Sequence, residues 1–214
     1  MTWPAWLHRL VDAIPDVQAS ELSRHEMPDV VTGRESAVLI AIGMTADGPG
    51  VLFIKRASIL RNHAGQVAFP GGARDPADVD AAATALREAA EEVGLDPGSA
   101  SVIATWPSVF LAPSRYRVSP VLAWWVRPHP VRVLDPGEVA DVGVLPISEL
   151  ADPANRFVVQ HPSGYVGPGF EVRGWFVWGF TGGLLDVVLR IGGWELPWDQ
   201  RRLRPLPDAG NVPS

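Results

Sequence analysis

Arg87-Glu88-Ala89-Ala90-Glu91-Glu92-Val93-Gly94-Leu95 is the stretch on which the fold turns. Residues three and four apart are neighbours on a helix surface, so a helix here sets Glu88 beside Glu91 and Glu92. Like charges at those spacings repel, so such a face is either fully solvated or held by something positive. A divalent cation with hard oxygen ligands, its shell completed by phosphate oxygens, meets the second condition. Good helix formers lead in, from Ala81 to Ala83 and then Thr84-Ala85-Leu86. Gly94 stands where a left-handed residue ends a helix, and Asp96-Pro97 blocks resumption. Upstream, Phe69-Pro70-Gly71-Gly72 is a tight turn whose glycines let backbone carbonyls approach a metal.

This order of strand, glycine turn, loop and acidic helix resembles the Nudix box, Gly-x5-Glu-x7-Arg-Glu-U-x-Glu-Glu-x-Gly-U, where U is bulky and apolar. Gly72, Arg87, Glu88, Glu91, Glu92, Gly94 and Leu95 fall in place. Three departures stand out. The spacing from Gly72 to Arg87 is one residue longer than the general box, and Ala89 is small for its position. The upstream glutamate is replaced by an aspartate, with Asp75, Asp78 and Asp80 all candidates. The resemblance implies a Nudix-type α/β/α sandwich with a mixed sheet. It also implies Mg²⁺ or Mn²⁺ held by Glu88, Glu91 and Glu92 with the Gly72 carbonyl. Alternatively Glu88 orients or deprotonates the attacking water instead of binding the metal directly, and Arg87 is expected to brace the glutamates.

A longer block narrows the expected substrate. Leu52-Phe53-Ile54-Lys55-Arg56-Ala57-Ser58-Ile59-Leu60-Arg61-Asn62-His63-Ala64-Gly65-Gln66-Val67-Ala68 runs directly into the glycine turn. It resembles the extra motif of the coenzyme A diphosphatase branch of the family, which also carries the longer box. Arg56, Arg61, His63 and Gln66 gather donors in a short loop. Coenzyme A carries a diphosphate and a ribose 3′-phosphate, and arginine forks match phosphate geometry in a bidentate way. An isolated arginine more often makes a surface ion pair, and His63 reads equally well as a neutral loop-ordering residue.

Ser114-Arg115-Tyr116-Arg117-Val118-Ser119-Pro120-Val121, Glu138-Val139-Ala140-Asp141 and Val177-Trp178-Gly179-Phe180-Thr181 continue the resemblance to that branch. The expected reaction is hydrolysis of coenzyme A, or an acyl or oxidised form, to 3′,5′-ADP and 4′-phosphopantetheine or its derivative. Tyr116 is a candidate contact for adenine or pantetheine. Glu138 reads either as an acid assisting the metal or the water, or as a turn carboxylate. Two rivals stay open: a Nudix diphosphatase acting on ADP-ribose or a dinucleotide, and a Nudix-fold binding module without hydrolysis. The second usually lacks a box glutamate, and all three are present here.

Composition fits a compact enzyme. A chain of 214 residues is long enough for one substantial core, and 47% hydrophobic content excludes general disorder. A net charge of −6 argues against nonspecific nucleic-acid binding. The absence of cysteine rules out a disulfide framework or a thiolate zinc site, and the five histidines are scattered. Basic charge is almost all arginine, Lys55 being the only lysine. The sequence shows no membrane span and no secretory pattern, so cytoplasm is the expected compartment.

Residues 1–35 read as a helical extension, with Trp3 to Ile14 an amphipathic helix that docks on the domain or on a second subunit, which leaves a homodimer open. Residues 36–191 read as the Nudix domain and 192–214 as a Pro-rich irregular tail. Apolar runs place strands at Val38 to Met44, Val51 to Lys55, Gln66 to Phe69, Ser101 to Trp106, Val118 to Val126 and Val142 to Leu145. Asp78 to Val93 contains the acidic helix, Ser148 to Leu150 begins a helical turn, Glu171 to Phe176 reads as one strand, and a helix runs over about Trp178 to Ile191. Trp124 and Trp125 point to opposite faces of their strand. Trp106, Trp124 and Trp178 are expected to be buried anchors.

Overall fold

The computed structural model describes residues 2–22, 33–59, 64–111, 115–161 and 164–206. The chain order is α1 (Ala5–Ala13), α2 (Ala19–Leu22), β1 (Arg34–Thr45), β2 (Gly48–Arg56), β3 (Val67–Ala68), β4 (Gly71–Ala73) and α3 (Ala81–Val93). There follow β5 (Ala100–Thr105), β6 (Val109–Leu111), β7 (Tyr116–Trp125), β8 (Val139–Pro146), α4 (Ile147–Leu150), β9 (Arg156–Gln160), β10 (Val166–Val172), β11 (Trp175–Val177), α5 (Gly179–Ile191) and β12 (Leu203–Arg204).

The main sheet is mixed and runs β3-β2-β1-β7-β5, with β4 on β1, β6 on β7 and β8 on β2. Its only parallel pair in the described residues is β1 with β7, in register from Arg34 opposite Tyr116 to Gly43 opposite Trp125. Alternation along β1 separates two cores. Ala37, Leu39 and Ala41 face α3 and pack on Ala85, Ala89 and Val93. Ile40 and Ile42 face the other way, into a core shared with Leu7 and Leu10 of α1 and Leu184, Leu185 and Val188 of α5. Sheet between helix layers is the α/β/α arrangement.

α3 is bounded as its sequence dictates. The Asp80 carboxylate accepts from the Ala83 N–H at the N-terminus, and Gly94 is left-handed (φ 71°) at the C-terminus. Its sheet-facing stripe is alanine-rich, so the helix lies close against β1. That is why Ala89, small for its place in the box, is fully buried.

Several elements differ from the sequence reading. A second sheet, β11-β10-β9-β12, lies beyond the main one. The single strand expected over Glu171 to Phe176 is a hairpin, with Phe170 opposite Val177. Its turn residues Arg173 and Gly174 both have positive φ, the pattern of a type I′ turn. Arginine is a poor signal for that turn, which is why the periodicity reads as continuous. β9 was not anticipated. The segment after Trp194 is not wholly irregular, since Leu203 and Arg204 add a parallel edge to β9. Trp106 and Trp125 are buried, whereas Trp124 and Trp178 are only partly so. Trp178 caps α5 and stacks on His161, with ring centroids 5.7 Å apart. In the described residues no helix is long and apolar enough to cross a membrane.

Candidate active site

The glycine turn and the acidic helix meet edge to edge. Gly71 and Gly72 pair with Val38 and Ala37 of β1 while α3 lies over the same strand. The Gly71 N–H donates to Glu92 Oε2 at 2.9 Å. A Cβ built on Gly72 would come within 3 Å of both carboxylate oxygens of Glu88, so the Glu88 carboxylate lies directly over the bare Gly72 backbone. Only glycine leaves room for that approach.

The three glutamates are not equivalent. Glu92 is 3% exposed and turned inward, Glu88 is half-buried, and the Glu91 side chain is 62% exposed. Burial pushes the Glu92 carboxyl up to about 8. The Gly71 N–H and Arg56 counter that rise, while the charges of Glu88 and Glu138 add to it. Burial also raises the Glu88 carboxyl, against its contact with Arg87. The charge of Glu138 thus bears on both carboxylates, although the sequence favours reading it as a turn carboxylate. Its backbone carbonyl accepts from Ala57 N–H at 2.8 Å, which ties this loop to the end of β2.

Arg87 is the hub. Nη1 donates to Glu88 Oε1 at 2.9 Å and Glu91 Oε2 at 3.0 Å, and Nη2 to the Ala73 carbonyl at 3.0 Å. Nε and Nη2 close on the two oxygens of Asp78 at 3.1 and 3.0 Å. The three candidate aspartates have separate tasks. Asp80 caps α3, Asp75 accepts from Ala77 N–H within the loop, and Asp78 clamps Arg87. Asp78 is the one six residues after Gly72, which is where the box places its upstream acid. The extra residue therefore falls between Asp78 and Arg87.

On the other flank, Arg56 ends β2 at a bulge, where the pairing with β8 shifts register between Lys55 and Arg56. Its backbone N–H donates to the Gln66 carbonyl at 2.9 Å, which fixes the two ends of the arginine block together. Arg61 and His63 lie outside the described residues. Tyr116 begins β7 beside Arg34, on the face of the sheet away from Glu35 and Arg117. No hydrogen bond among the described residues brings it to the glutamates. Sequence reasoning passed over Glu35, Arg74 and Arg34, which gather next to the Gly72 turn; the only available signal was their charge beside a strand start.

Whether these residues suit a divalent cation can be judged from the donors present. Glu92 Oε1 and Arg56 Nε are both buried without a hydrogen-bond partner. A buried carboxylate oxygen without a donor is costly unless a cation is supplied. The donors are hard oxygens, as Mg²⁺ or Mn²⁺ require. Among the described residues no three acidic or imidazole groups already converge as a ligand shell. Arg87 holds Glu88 and Glu91, and the Gly71 N–H holds one oxygen of Glu92, so these carboxylates are paired to protein donors. The donor set fits the ion.

A glycine turn laid against an acidic helix defines the class of this site, and the comparisons identify its family. Residues 33–169 match the model of the NUDIX domain, so the chain belongs to the Nudix family. It is 39% identical over 172 residues to a protein of Enterobacter sp. (strain 638) named uncharacterized Nudix hydrolase NudL, covering 77% of this chain and 86% of that one. It is 37% identical over 200 residues to the protein of that name from Citrobacter koseri, covering 90% and 96%. The fold is shared with the crystal structure of a Nudix hydrolase from M. smegmatis, RenU, at a TM-score of 0.54 and 18% identity over 78% of this chain and 90% of the other. The chain is a Nudix hydrolase, a class whose substrates are nucleoside diphosphate derivatives and which generally uses divalent metal ions.

Proposed function

We propose that this protein hydrolyses the diphosphate linkage of coenzyme A, or of an acyl or oxidised derivative, giving 3′,5′-ADP and 4′-phosphopantetheine or its derivative. The observation that carries the reading is Arg56. Its buried Nε has no partner, it lies near enough to Glu92 to stabilise that carboxylate, and its backbone is locked to Gln66 across the arginine block. An unpaired guanidinium donor beside the acidic helix suits a phosphate oxygen. Arg61 and His63, in the same block, are proposed as further phosphate donors.

Glu88, Glu91 and Glu92, with the Gly72 carbonyl, are the groups that would hold Mg²⁺ or Mn²⁺. When bound, such an ion lowers the pKa of water toward neutral and screens the phosphate charge. The chain's own residues then have defined tasks. Arg56 and Gln66 orient the diphosphate at the mouth of the glycine turn. Arg87 keeps Glu88 and Glu91 aligned, and the approach of Glu88 to the Gly72 backbone supports it as the acceptor of the attacking water's proton. Glu138 adds negative charge near Glu88 and Glu92, which strengthens their hold on a cation.

The test is a panel of coenzyme A, ADP-ribose and diadenosine polyphosphate with Mg²⁺ or Mn²⁺, beside the Glu92→Gln variant. Preferential release of 3′,5′-ADP, lost in the variant, is the expected result. Cleavage of another diphosphate alone would keep the acidic helix and overturn the coenzyme A reading.

A further inference from the structure

The sequence Asp-Pro-x-x occurs four times in this chain, at 75–78, 96–99, 135–138 and 152–155. Each copy folds as the same turn. The aspartate side chain accepts from the N–H two residues on, at 2.8, 2.9, 2.9 and 2.8 Å in chain order. Its carbonyl accepts from the N–H three residues on, at 2.9, 2.8, 3.2 and 3.0 Å. Proline suits the second place by its fixed φ, and aspartate the first by that side-chain bond. These bonds are local, so the turn holds its last residue in a set direction.

In three of the copies the side chain of that last residue meets a protein partner. Asp78 clamps Arg87, Ser99 Oγ accepts from Trp125 Nε1 at 3.0 Å, and Asn155 Nδ2 donates to the Glu149 carbonyl at 2.9 Å. In the copy at 135–138 it is Glu138, which is exposed, and among the described residues no donor meets its carboxylate. We propose that Asp135 is a positioning residue of the hydrolytic site, its turn presenting the Glu138 carboxylate to the cation that the acidic helix would hold. This rests on the reading that Glu138 serves that site, and it holds whichever diphosphate is the substrate.

The turn is tied at both ends to the site. Leading into it, Arg132 and Leu134 donate their N–H groups to the Val93 and Glu92 carbonyls at 3.1 and 2.8 Å. Those are acceptors that a helix C-terminus leaves open. Leu134 also covers Gly94, where an added Cβ would meet its Cδ1 at 3.2 Å. Leaving the turn, the Glu138 carbonyl accepts from the Ala57 N–H at 2.8 Å, and buried Val139 starts β8 opposite Arg56. A short segment thus bridges the end of the acidic helix and the start of the arginine block. The charge of Glu138 bears on Glu88 and Glu92 from there. The chain gives Glu88 the Arg87 guanidinium and Glu92 the Gly71 N–H, but leaves Glu138 to an outside partner. Carboxylates that repel one another favour a cation among them.

Calorimetric titration of the full-length protein with Mn²⁺ alone tests the assignment, on Asp135→Ala, Asp135→Asn, Glu138→Gln and the double variant Asp135→Ala/Glu138→Gln. Asp135 is exposed, so its loss leaves the core intact. Glu138→Gln and Asp135→Ala should each weaken binding about tenfold, as loss of a group that orients a metal site does. Asp135→Asn keeps the acceptor for the Gly137 N–H and should restore most of the affinity. The double variant should bind no more weakly than Glu138→Gln, because the turn acts through Glu138. Asp152→Ala breaks the same turn ahead of β9 and should leave binding unchanged. Wild-type affinity in Asp135→Ala, with Glu138→Gln weakened, overturns the positioning role and keeps Glu138 in the site. Wild-type affinity in Glu138→Gln overturns both. Losses that add in the double variant also overturn the proposal, since the turn would then act without Glu138.

Discussion

Arg87 closes on both carboxylate oxygens of Asp78, with Nε at 3.1 Å and Nη2 at 3.0 Å, and its remaining nitrogen reaches Glu88 and Glu91. Asp78 is 7% exposed, and its carboxyl is held well below the usual range by the Arg87 guanidinium. The pair turns Arg87 into a fixed bracket for two of the three box glutamates. Asp78→Asn keeps the shape but loses the charge, so the bracket loosens. Metal affinity or turnover should fall about 10–100-fold, the usual effect of losing a group that orients metal ligands. Stability should fall by about 1.5–3 kcal/mol, the range for a hydrogen bond to a charged group. Calorimetric Mg²⁺ titration and a denaturant melt check both. Unchanged metal affinity would show that Arg87 needs no clamp.

The two glycines of the turn should separate function from stability. At Gly72 an added methyl meets the end of the Glu88 side chain, which can swing away at little cost to the fold. At Gly71 it meets backbone, with the Val38 Cα only 2.7 Å off, and nothing there can yield. Gly72→Ala should therefore keep its melting temperature within about 3 °C and lose activity about 100-fold or more. Gly71→Ala should lose several kcal/mol of stability, in the manner of overpacking. Equal melting losses in the two variants would contradict this division.

The acidic helix was legible because its signals are local: good helix formers leading in, glutamates at helical spacing, and Gly94 at the end. The charge pattern gave three glutamates on a helix, but not that Glu92 turns inward while Glu91 stays in solvent. That split depends on where β4 lies, which is a long-range fact. The assignment among Asp75, Asp78 and Asp80 was likewise hidden, because all three sit in one loop and only the folded turn shows which reaches Arg87. The second sheet was missed for a different reason. Its hairpin turns at Arg173-Gly174, and its edge strand β12 has two residues, too short for any periodicity to show.

The N-terminal helix α1 packs into the core of its own chain. Leu7 and Leu10 are fully buried in the core shared with α5, and Trp3 meets Trp124 edge-on at 5.9 Å. Leu10→Ala should cost about 2–5 kcal/mol, the range for emptying a buried leucine site. The acidic helix lies on the opposite face of the sheet, so specific activity of the folded fraction at low temperature should stay near wild type. Thermal melts and turnover at 15 °C would check it. A melting temperature unchanged from wild type would mean that α1 docks only loosely.

Glu92 gives the metal-free protein a signed pH dependence. Its carboxyl sits at about 8 in the folded protein against 4.5 ordinarily, chiefly because burial disfavours the anion. Between those values the folded chain holds a proton that the unfolded chain has released. The linkage then makes its contribution to stability full below about pH 4.5, falling as pH rises, and flat above about pH 8. In chelator, the melting temperature of wild type relative to Glu92→Gln should decline across that window. A divalent cation binds the anion and displaces the proton, so the gain in melting temperature from Mg²⁺ should grow over the same range. A difference between wild type and variant that stays flat from pH 5 to 8 in chelator would mean that Glu92 is solvated, and with it the case for a cation at this position would weaken.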